Sequence, residues 1–556
     1  MTFASLIVPA VTSLALLVAF GWSVRRCVRA LHMLQLDSYS NRRFLLWLGG
    51  SVSGRLFAPG PAALLAVLLG LVFAVGVLDR SGATGLGLLA AWVVGGALLL
   101  ARHRPPASKT PLVYTGRAVR ILGVAVALLA ATAIASGVAA SVAGRAGRPT
   151  VTAAVVLAAG LVLTQMAPLA IVVANLLLVP VQAAVNRCYL VAARRRLSDW
   201  KPTVIGITGS YGKTTTKYVV TTILRERFDV LMTPHSYNTL MGVTRTINEA
   251  LRDTHRIFVV EMGAYRPGDI RDLAELVRPT IGVLTAIGPQ HLERFGSLDR
   301  IEATKYELIE ALPADGLAVF NADDPRCARL ADQTTAVRVL RYGLRAEKDR
   351  LRVWAEGVET GPEGSSFSIV TSEGGRVTAR TRLLGRHNVL NVLAGVCVAL
   401  EMRIGLEEIA AGIARLEPAP HRLQRIAGAG GVTVIDDSYN SNVVGAMEAL
   451  GVLGSFKSGR RVLITPGMVE LGELQAVSNE RFGARAAEVC DYIILVGPKQ
   501  TEPIARGATQ AEFPRERLRV VRTLADATAV LRDVLKPGDV VLFENDLPDL
   551  YLDQQG

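Results

Sequence analysis

The chain has 556 residues, half of them hydrophobic and one fifth charged, with a mean hydropathy of +0.35. Such a length suits three or four domains, and this much apolar material excludes an intrinsically disordered chain. Residues 1–200 carry 18 Lys/Arg against only Asp37, Asp79 and Asp199, a net of +15, which leaves 43 basic and 45 acidic residues, a net of −2, in 201–556. The pI of about 9.7 therefore belongs to the first 200 residues, and the net charge is no sign of a nucleic-acid partner.

Five apolar runs, near 3–24, 58–78, 83–101, 121–143 and 150–180, are long enough for membrane-spanning helices. The first basic residue, Arg25, follows the first run instead of preceding it, which favours a retained span over a signal peptide. Arg25, Arg26, Arg29, Arg42, Arg43 and Arg55 follow span one; Arg102, Arg104, Lys109, Arg117 and Arg120 follow span three; Arg187, Arg194, Arg195 and Arg196 follow span five. Only Arg80, Arg145 and Arg148 fall in the opposite loops. The positive-inside rule then places the N-terminus outside and everything beyond residue 187 in the cytoplasm of an inner-membrane protein. No ionisable residue lies inside an expected span, which argues against a pump or channel. Gln165, Pro168 and Asn175 read as packing and bending features of span five. Arg187 to Trp200 reads as a juxtamembrane helix whose arginines meet anionic headgroups. Five scattered cysteines without a CxxC spacing fit neither a zinc ribbon nor a disulfide framework.

From Thr203 the pattern changes to short apolar strands alternating with amphipathic helices, which predicts a mostly parallel sheet flanked by helices. Strands are expected at 203–208, 257–261, 281–286 and 317–321, a small antiparallel addition within 336–382, and helices at 388–401 and 406–416. A second series follows Pro418-Ala419-Pro420, with strands at 432–436, 461–465, 492–496 and 540–543 and helices at 443–455, 476–489 and 524–535. The expected organisation is a helical membrane domain (1–186), a linker (187–202), a central α/β nucleotide-binding domain (203–417) and a C-terminal Rossmann-like domain (418–556), hinged near 417–422.

The sharpest local signal is Gly209-Ser210-Tyr211-Gly212-Lys213-Thr214-Thr215 between an expected strand and helix. Glycines let backbone N–H groups face phosphate, and the helix adds the favourable end of its dipole. Lys213 can neutralise the β- and γ-phosphates while the Thr214 hydroxyl ligates Mg2+. Ile207 stands where the full phosphate-loop pattern has its first glycine. Glu261 ends a strand, where ligands gather in an open α/β sheet.

ITGSYGKTTT (207–216) resembles the phosphate loop of the Mur ligases, ATP-dependent enzymes that build the peptidoglycan stem peptide. VVEMGAYRPGDI (259–270), GPQHLERFGSLDRIEATKYELI (288–309), FNADDP (320–325), GRHNVLNVLAG (385–395), HRLQ (421–424) and DDSYNSN (436–442) follow in family order and most resemble the MurF branch, which attaches D-Ala-D-Ala. The resemblance implies a central P-loop ATPase domain and a C-terminal Rossmann-like domain. It implies Glu261 and His291 as Mg2+ ligands and Lys305, carried as a carbamate, as holder of a second ion. It further implies Asn391 at the adenine, Asn321 and Asp324 framing the nucleotide, Arg422 at the γ-phosphate, and Asp437 and Tyr439 closing on ribose and phosphates. The implied activity is ligation of a carboxylate to an amine through an acyl phosphate, completed on domain closure.

Three departures bear on the substrate. Residues 1–200 stand in place of the family's UDP-gripping domain; FENDLPDLY (543–551) replaces a Lys/Gly/Ser-containing phrase; and Val443 follows DDSYNSN where proline is common. Glu544 and Asp546 favour an amine-bearing or cationic partner. TPGMVELGEL (465–474) is related to a family phrase, with Thr465-Pro466 in an altered context. The expected partners are a lipid-linked or UDP-linked muropeptide, an amino acid or dipeptide donor, and the inner membrane. The literal MurF reaction, a poly-γ-glutamate-synthase-like ligase and an ATP-binding membrane scaffold remain open. A glutaminase-coupled amidating ligase does not fit, because its cysteine cluster is missing.

Overall fold

Helix length in the N-terminal region follows from unbroken apolar sequence, and helix starts from a few capping side chains. The computed structural model describes residues 3–50, 59–76, 83–102, 110–439 and 442–546. Among the described residues, six helices precede residue 178: α1 (Phe3–Leu36), α2 (Asn41–Gly49), α3 (Pro59–Gly76), α4 (Ala83–Arg102), α5 (Gly116–Arg145) and α6 (Pro149–Leu177). Ser40 caps α2 and Thr115 caps α5, each accepting a backbone N–H in the first turn. Among the described residues, four segments, Ile7–Leu36, Ala83–Arg102, Gly116–Arg145 and Pro149–Leu177, are long and apolar enough to cross a membrane. The expected span at 58–78 appears as the shorter α3, and its flanks, with Arg55 and Arg80, lie outside the described residues, as do Arg104 and Lys109.

The first helix runs well past the expected end at residue 24, because nothing between Gly21 and Leu36 breaks a helix. Arg25, Arg26 and Arg29 are therefore helical residues and not loop residues, and Arg26 is not left alone. Its guanidinium donates to the Thr164 carbonyl and, at 3.1 Å, to Gln165 Oε1. Asn175 is matched likewise, accepting from Arg117 at 3.3 Å and donating to Asn41 Oδ1 at 2.8 Å. The polar residues of α6 thus act in helix packing, and Pro168 sits inside a helix that continues through it.

The chain forms two compact units, divided near Val185. Helix α7 (Val179–Trp200) begins in the first and ends in the second. Its later half is more than an arginine-bearing linker. Ala193 is fully buried, and Leu190, Leu197 and Trp200 pack in the same cluster as Val243, Ile247 and Leu251.

The second unit holds two sheets. The first alternates as expected: β1 (Thr203–Thr208), α8 (Lys213–Leu224), β2 (Val230–Met232), α9 (Leu240–Ala250), β3 (Ile257–Glu261), α10 (Asp269–Val277), β4 (Ile281–Leu284), α11 (Leu292–Phe295), α12 (Leu298–Glu310), β5 (Leu317–Asn321), α13 (Pro325–Gln333) and β6 (Arg338–Gly343). β7 (Val353–Gly361), β8 (Gly364–Thr371) and β9 (Arg376–Thr381) extend it, followed by α14 (Arg386–Glu401) and α15 (Leu406–Ala414). The order is β2-β3-β1-β4-β5-β6-β7-β8-β9. Within 336–382 only β7–β8–β9 is antiparallel; β6 continues the parallel sheet against β5. β1 lies between β3 and β4, so successive connections leave it in opposite directions and open a crevice at its C-terminal end.

The second sheet uses β10 (Gln424–Ala427), β11 (Thr433–Asp437), α16 (Val443–Ser455), β12 (Arg461–Thr465), α17 (Gln475–Val489), β13 (Tyr492–Val496), α18 (Glu502–Gln510), β14 (Leu518–Val521), α19 (Leu524–Val534) and β15 (Val540–Glu544). Its order is β10-β11-β15-β12-β13-β14, with β10 alone antiparallel. The short β2, β10 and β14 escape a sequence reading because three or four residues carry too little periodicity. Asn440 and Ser441 of DDSYNSN and residues 547–551 of FENDLPDLY lie outside the described residues.

Candidate active site

The turn after β1 is built by two glycines. Gly212 has φ of 78° and opens α8 as its N-cap. A Cβ there would stand 2.4 Å from Asn391 Oδ1, so only glycine lets the loop lie on α14. A Cβ on Gly209 would meet Thr285 Oγ1 at 2.1 Å. Ser210 is tied down by Gly288, whose N–H and carbonyl both bond its Oγ at 3.0 Å. Tyr211 lies against Gly288 and presents a buried hydroxyl without a hydrogen bond. Lys213 folds onto its own loop, donating to the Gly209 and Ser210 carbonyls at 2.6 and 3.0 Å. Burial lowers its pKa to about 8, opposed by Glu261 and reinforced by Arg422. Thr214 and Thr215 form the first turn of α8, where anions are favoured.

Sheet register explains Glu261. Ile207, two residues before the loop, pairs with Glu261 across β1–β3. The carboxylate is 2 % exposed and held by two residues that the sequence alone did not single out. Asn238 donates to Oε1 at 3.0 Å, and Lys217 Nζ stands 3.1 Å from Oε2. Lys217 is completely buried and also donates to the His235 carbonyl at 2.6 Å. Burial pushes the Glu261 pKa up, but Lys217, Lys213 and Asn238 outweigh it and the net direction is down. The signal for Lys217 was available, since it sits one helical turn after Lys213 on the same helix.

Lys305 lies on α12 and is 5 % exposed. Burial and the neighbouring Lys213 charge drive its pKa well down, against Asp269, Glu307 and Glu261. His291 caps the short α11 in left-handed backbone. Its Nδ1 meets Glu470 Oε2, and burial lowers the ring's pKa against the pull of that carboxylate. Electrostatic influence thus links Lys213 to Glu261, His291, Lys305 and Arg422.

A cavity of about 420 Å³ opens beside the loop, lined from the first sheet's lobe by Tyr211, Gly212, Thr215, Asn321, Asp324 and Asn391, and from the second by Arg422, Asp437 and Glu448. Asn391 is engaged in it: its Oδ1 accepts Thr216 Oγ1 at 3.2 Å and its Nδ2 donates to Asn388 at 2.9 Å. Asn321 donates to the Thr285 carbonyl at 2.9 Å, and Asp324 caps α13 while accepting the Ile287 N–H at 3.1 Å. Arg422 lies over the Tyr439 ring at 4.6 Å, with Tyr439 about half exposed. Asp437 accepts the Leu423 N–H at 3.1 Å; burial raises its pKa while Arg422 pulls it down. Glu544, expected at the amine pocket, is instead buried under Thr465, whose hydroxyl donates to it at 2.9 Å.

Among the described residues, no three His, Cys, Asp or Glu side chains stand close enough to form a metal cage alone. Three separate elements offer donors: the deeply buried Glu261 carboxylate at the end of β3, whose Oε2 lacks an aligned hydrogen bond, the Thr214 hydroxyl at the start of α8 and the His291 imidazole before α11. That donor set fits Mg2+, which binds through one or two carboxylates together with substrate phosphates.

Residues 207–399 match the Mur ligase middle domain, and residues 421–544 match the domain described as "Mur ligase, glutamate ligase domain". UDP-N-acetylmuramoyl-tripeptide–D-alanyl-D-alanine ligase of Mycobacterium leprae is 34% identical over 371 residues, covering 62% of this chain and 70% of its own. The Escherichia coli protein of the same name is 31% identical, covering 58% of this chain and 70% of its own. Among solved structures, MurF from Acinetobacter baumannii aligns with a TM-score of 0.59 at 27% identity, over 66% of this chain and 79% of its own. MurF from Thermotoga maritima, in complex with ADP, aligns at 0.58 and 25% identity, over 66% and 82%.

Proposed function

The chain belongs to the Mur ligase family, ATP- and Mg2+-using amide-bond ligases of peptidoglycan synthesis, and from that premise we propose a membrane-anchored ligase that acts through an acyl phosphate on a membrane-linked acceptor. The observation that carries the chemistry is the convergence on Lys213 of Glu261, His291, Lys305 and Arg422 beside a two-lobed cavity.

The acceptor carboxylate attacks the γ-phosphorus of ATP, and ADP departs. The amine then attacks the acyl carbon, phosphate leaves, and the amine's proton is released. Lys213 and the N-terminus of α8 hold the phosphates, and Arg422 approaches them from the second lobe. Asn391, Asn321 and Asp324 border the nucleotide, with Asp437 and Tyr439 opposite. Thr214, Glu261, His291 and Lys305, as a carbamate, would hold Mg2+, which would supply the positive charge that lets an anionic carboxylate approach anionic phosphate. Carbamate formation needs a neutral amine, and the depressed pKa of Lys305 supports it. Apposed lobes keep water from the acyl phosphate.

The membrane part rests on the four long apolar helices, with the shorter apolar α3 as the fifth crossing, and on the Lys/Arg distribution, which together support an outside N-terminus and cytoplasmic catalytic lobes. Cysteine labelling from either side of sealed vesicles tests that orientation, and labelling of the catalytic lobes from outside rejects it.

The purified full chain is expected to release ADP and phosphate only when both a stem-peptide acceptor and an amine donor are present, and Lys213→Ala is expected to lose ~100-fold or more. Faster turnover with a lipid-linked than a UDP-linked tripeptide supports the membrane-linked acceptor. Equal or better turnover of the UDP-linked form with D-Ala-D-Ala, as the relatives' names suggest, replaces it with the literal MurF reaction. Glutamate-dependent phosphate release without any muropeptide points instead to poly-γ-glutamate-like synthesis.

A further inference from the structure

Glu470 sits in the loop after β12, yet its side chain belongs to the other lobe's site. Its Oε2 meets His291 Nδ1, 179 residues away, and its Oε1 accepts Arg294. The Glu470 carbonyl also accepts the Glu293 N–H at 3.3 Å. Both Glu470 and His291 hold left-handed backbone, with φ of 62° and 58°, conformations that persist in non-glycine residues only where the surroundings enforce them.

The surroundings do enforce them. Asn479 exchanges two hydrogen bonds of 2.9 Å with the Met468 backbone, and Asn545 Nδ2 donates to the Gly467 carbonyl at 2.6 Å. On the other lobe Tyr265 stands 5.0 Å from the His291 ring and 4.7 Å from the Arg294 guanidinium, both between centres. A carboxylate fixed before it meets the ring selects one tautomer, with the proton on Nδ1 and Nε2 left as the free nitrogen.

We infer that Glu470 is a positioning residue: reaching across from the second lobe, it fixes His291 through Nδ1 so that Nε2 serves Mg2+, and the metal set is complete only with the lobes docked. This rests on the reading of His291 as a metal ligand. A carboxylate behind a metal-bound imidazole typically contributes 10- to 100-fold in metal affinity.

The test is Mn2+ binding to the full-length detergent-solubilised protein in the presence of ADP, followed by the free-Mn2+ resonance signal, with thermal unfolding recorded alongside. Glu470→Ala and the shortened Glu470→Asp are expected to weaken Mn2+ by ~10-fold or more. Glu470→Gln, which keeps an acceptor for Nδ1–H, is expected to lose less. Combining Glu470→Ala with His291→Ala is expected to bind no more weakly than His291→Ala alone. Wild-type Mn2+ affinity in Glu470→Asp, with His291→Ala weakened, overturns the inference and leaves the metal-ligand reading standing. Wild-type affinity in His291→Ala overturns both. Should Glu470→Ala fail to fold, Glu470→Asp and Glu470→Gln carry the comparison.

Discussion

Both units bury polar side chains, and the partners those side chains receive set the units apart. In the helical unit Gln165 and Asn175 face arginines and other amides, so each of these two side chains meets a complement. In the catalytic unit full charges are buried together: Lys217 against Glu261, and Lys213 and Lys305 against the same neighbourhood. Lys305 has its charge suppressed by burial instead of matched by an ion pair. Complementary pairing marks packing, whereas buried charge that waits for an anion or a metal marks chemistry.

The comparison breaks most visibly at the Lys217–Glu261 pair. Lys217→Met strands a buried carboxylate and is expected to cost about 3–5 kcal/mol in denaturant unfolding. Adding Glu261→Gln to Lys217→Met should recover much of that loss; no recovery would mean that Lys217 stabilises the fold by some route other than its charge.

A smaller effect is expected where the two units share α7. Ala193 is fully buried against the catalytic core while its neighbour Ala192 is exposed. Ala193→Asp should lower stability by ~3 kcal/mol and Ala192→Asp by less than ~0.5 kcal/mol, both read from thermal unfolding. Similar costs at both positions would remove α7 from the core.

Weaker still is the second imidazole–carboxylate contact between the lobes, His387 to Glu448 at 3.3 Å. The hydrogen bond to His387 holds the Glu448 pKa below its ordinary value, against burial. A lowered carboxylate contributes stability above its unfolded value, near 4.5, and loses it as pH falls through the folded value. Glu448 is 40% exposed, so screening keeps the contribution to ~1 kcal/mol or less. Glu448→Gln should flatten the acid limb of the stability profile slightly; an unchanged limb removes this contact from the pH response.

The smallest change is expected in the helical unit. Gln165→Leu removes one side-chain partner of Arg26, which keeps the Thr164 carbonyl, and should cost about 0.6 kcal/mol with no change in phosphate release. A large loss of phosphate release would give the helical unit a catalytic part and end the contrast.

Local pattern alone determined the apolar helices, the strand–loop–helix around Lys213 and the alternation behind both sheets, because these depend on residues close in sequence. The likeness in ordered motifs extended this to Glu261, His291, Lys305 and Arg422. Only the tertiary structure decided which groups answer one another. Lys217 reaches Glu261 through sheet register, and Glu470 reaches His291 across two lobes. α7 buries Ala193 because a neighbouring helix offers it a surface. The physical reason is the same in each case: periodicity reports which face of an element is apolar, but the partner of a buried charge is set by distant chain that folding brings alongside it.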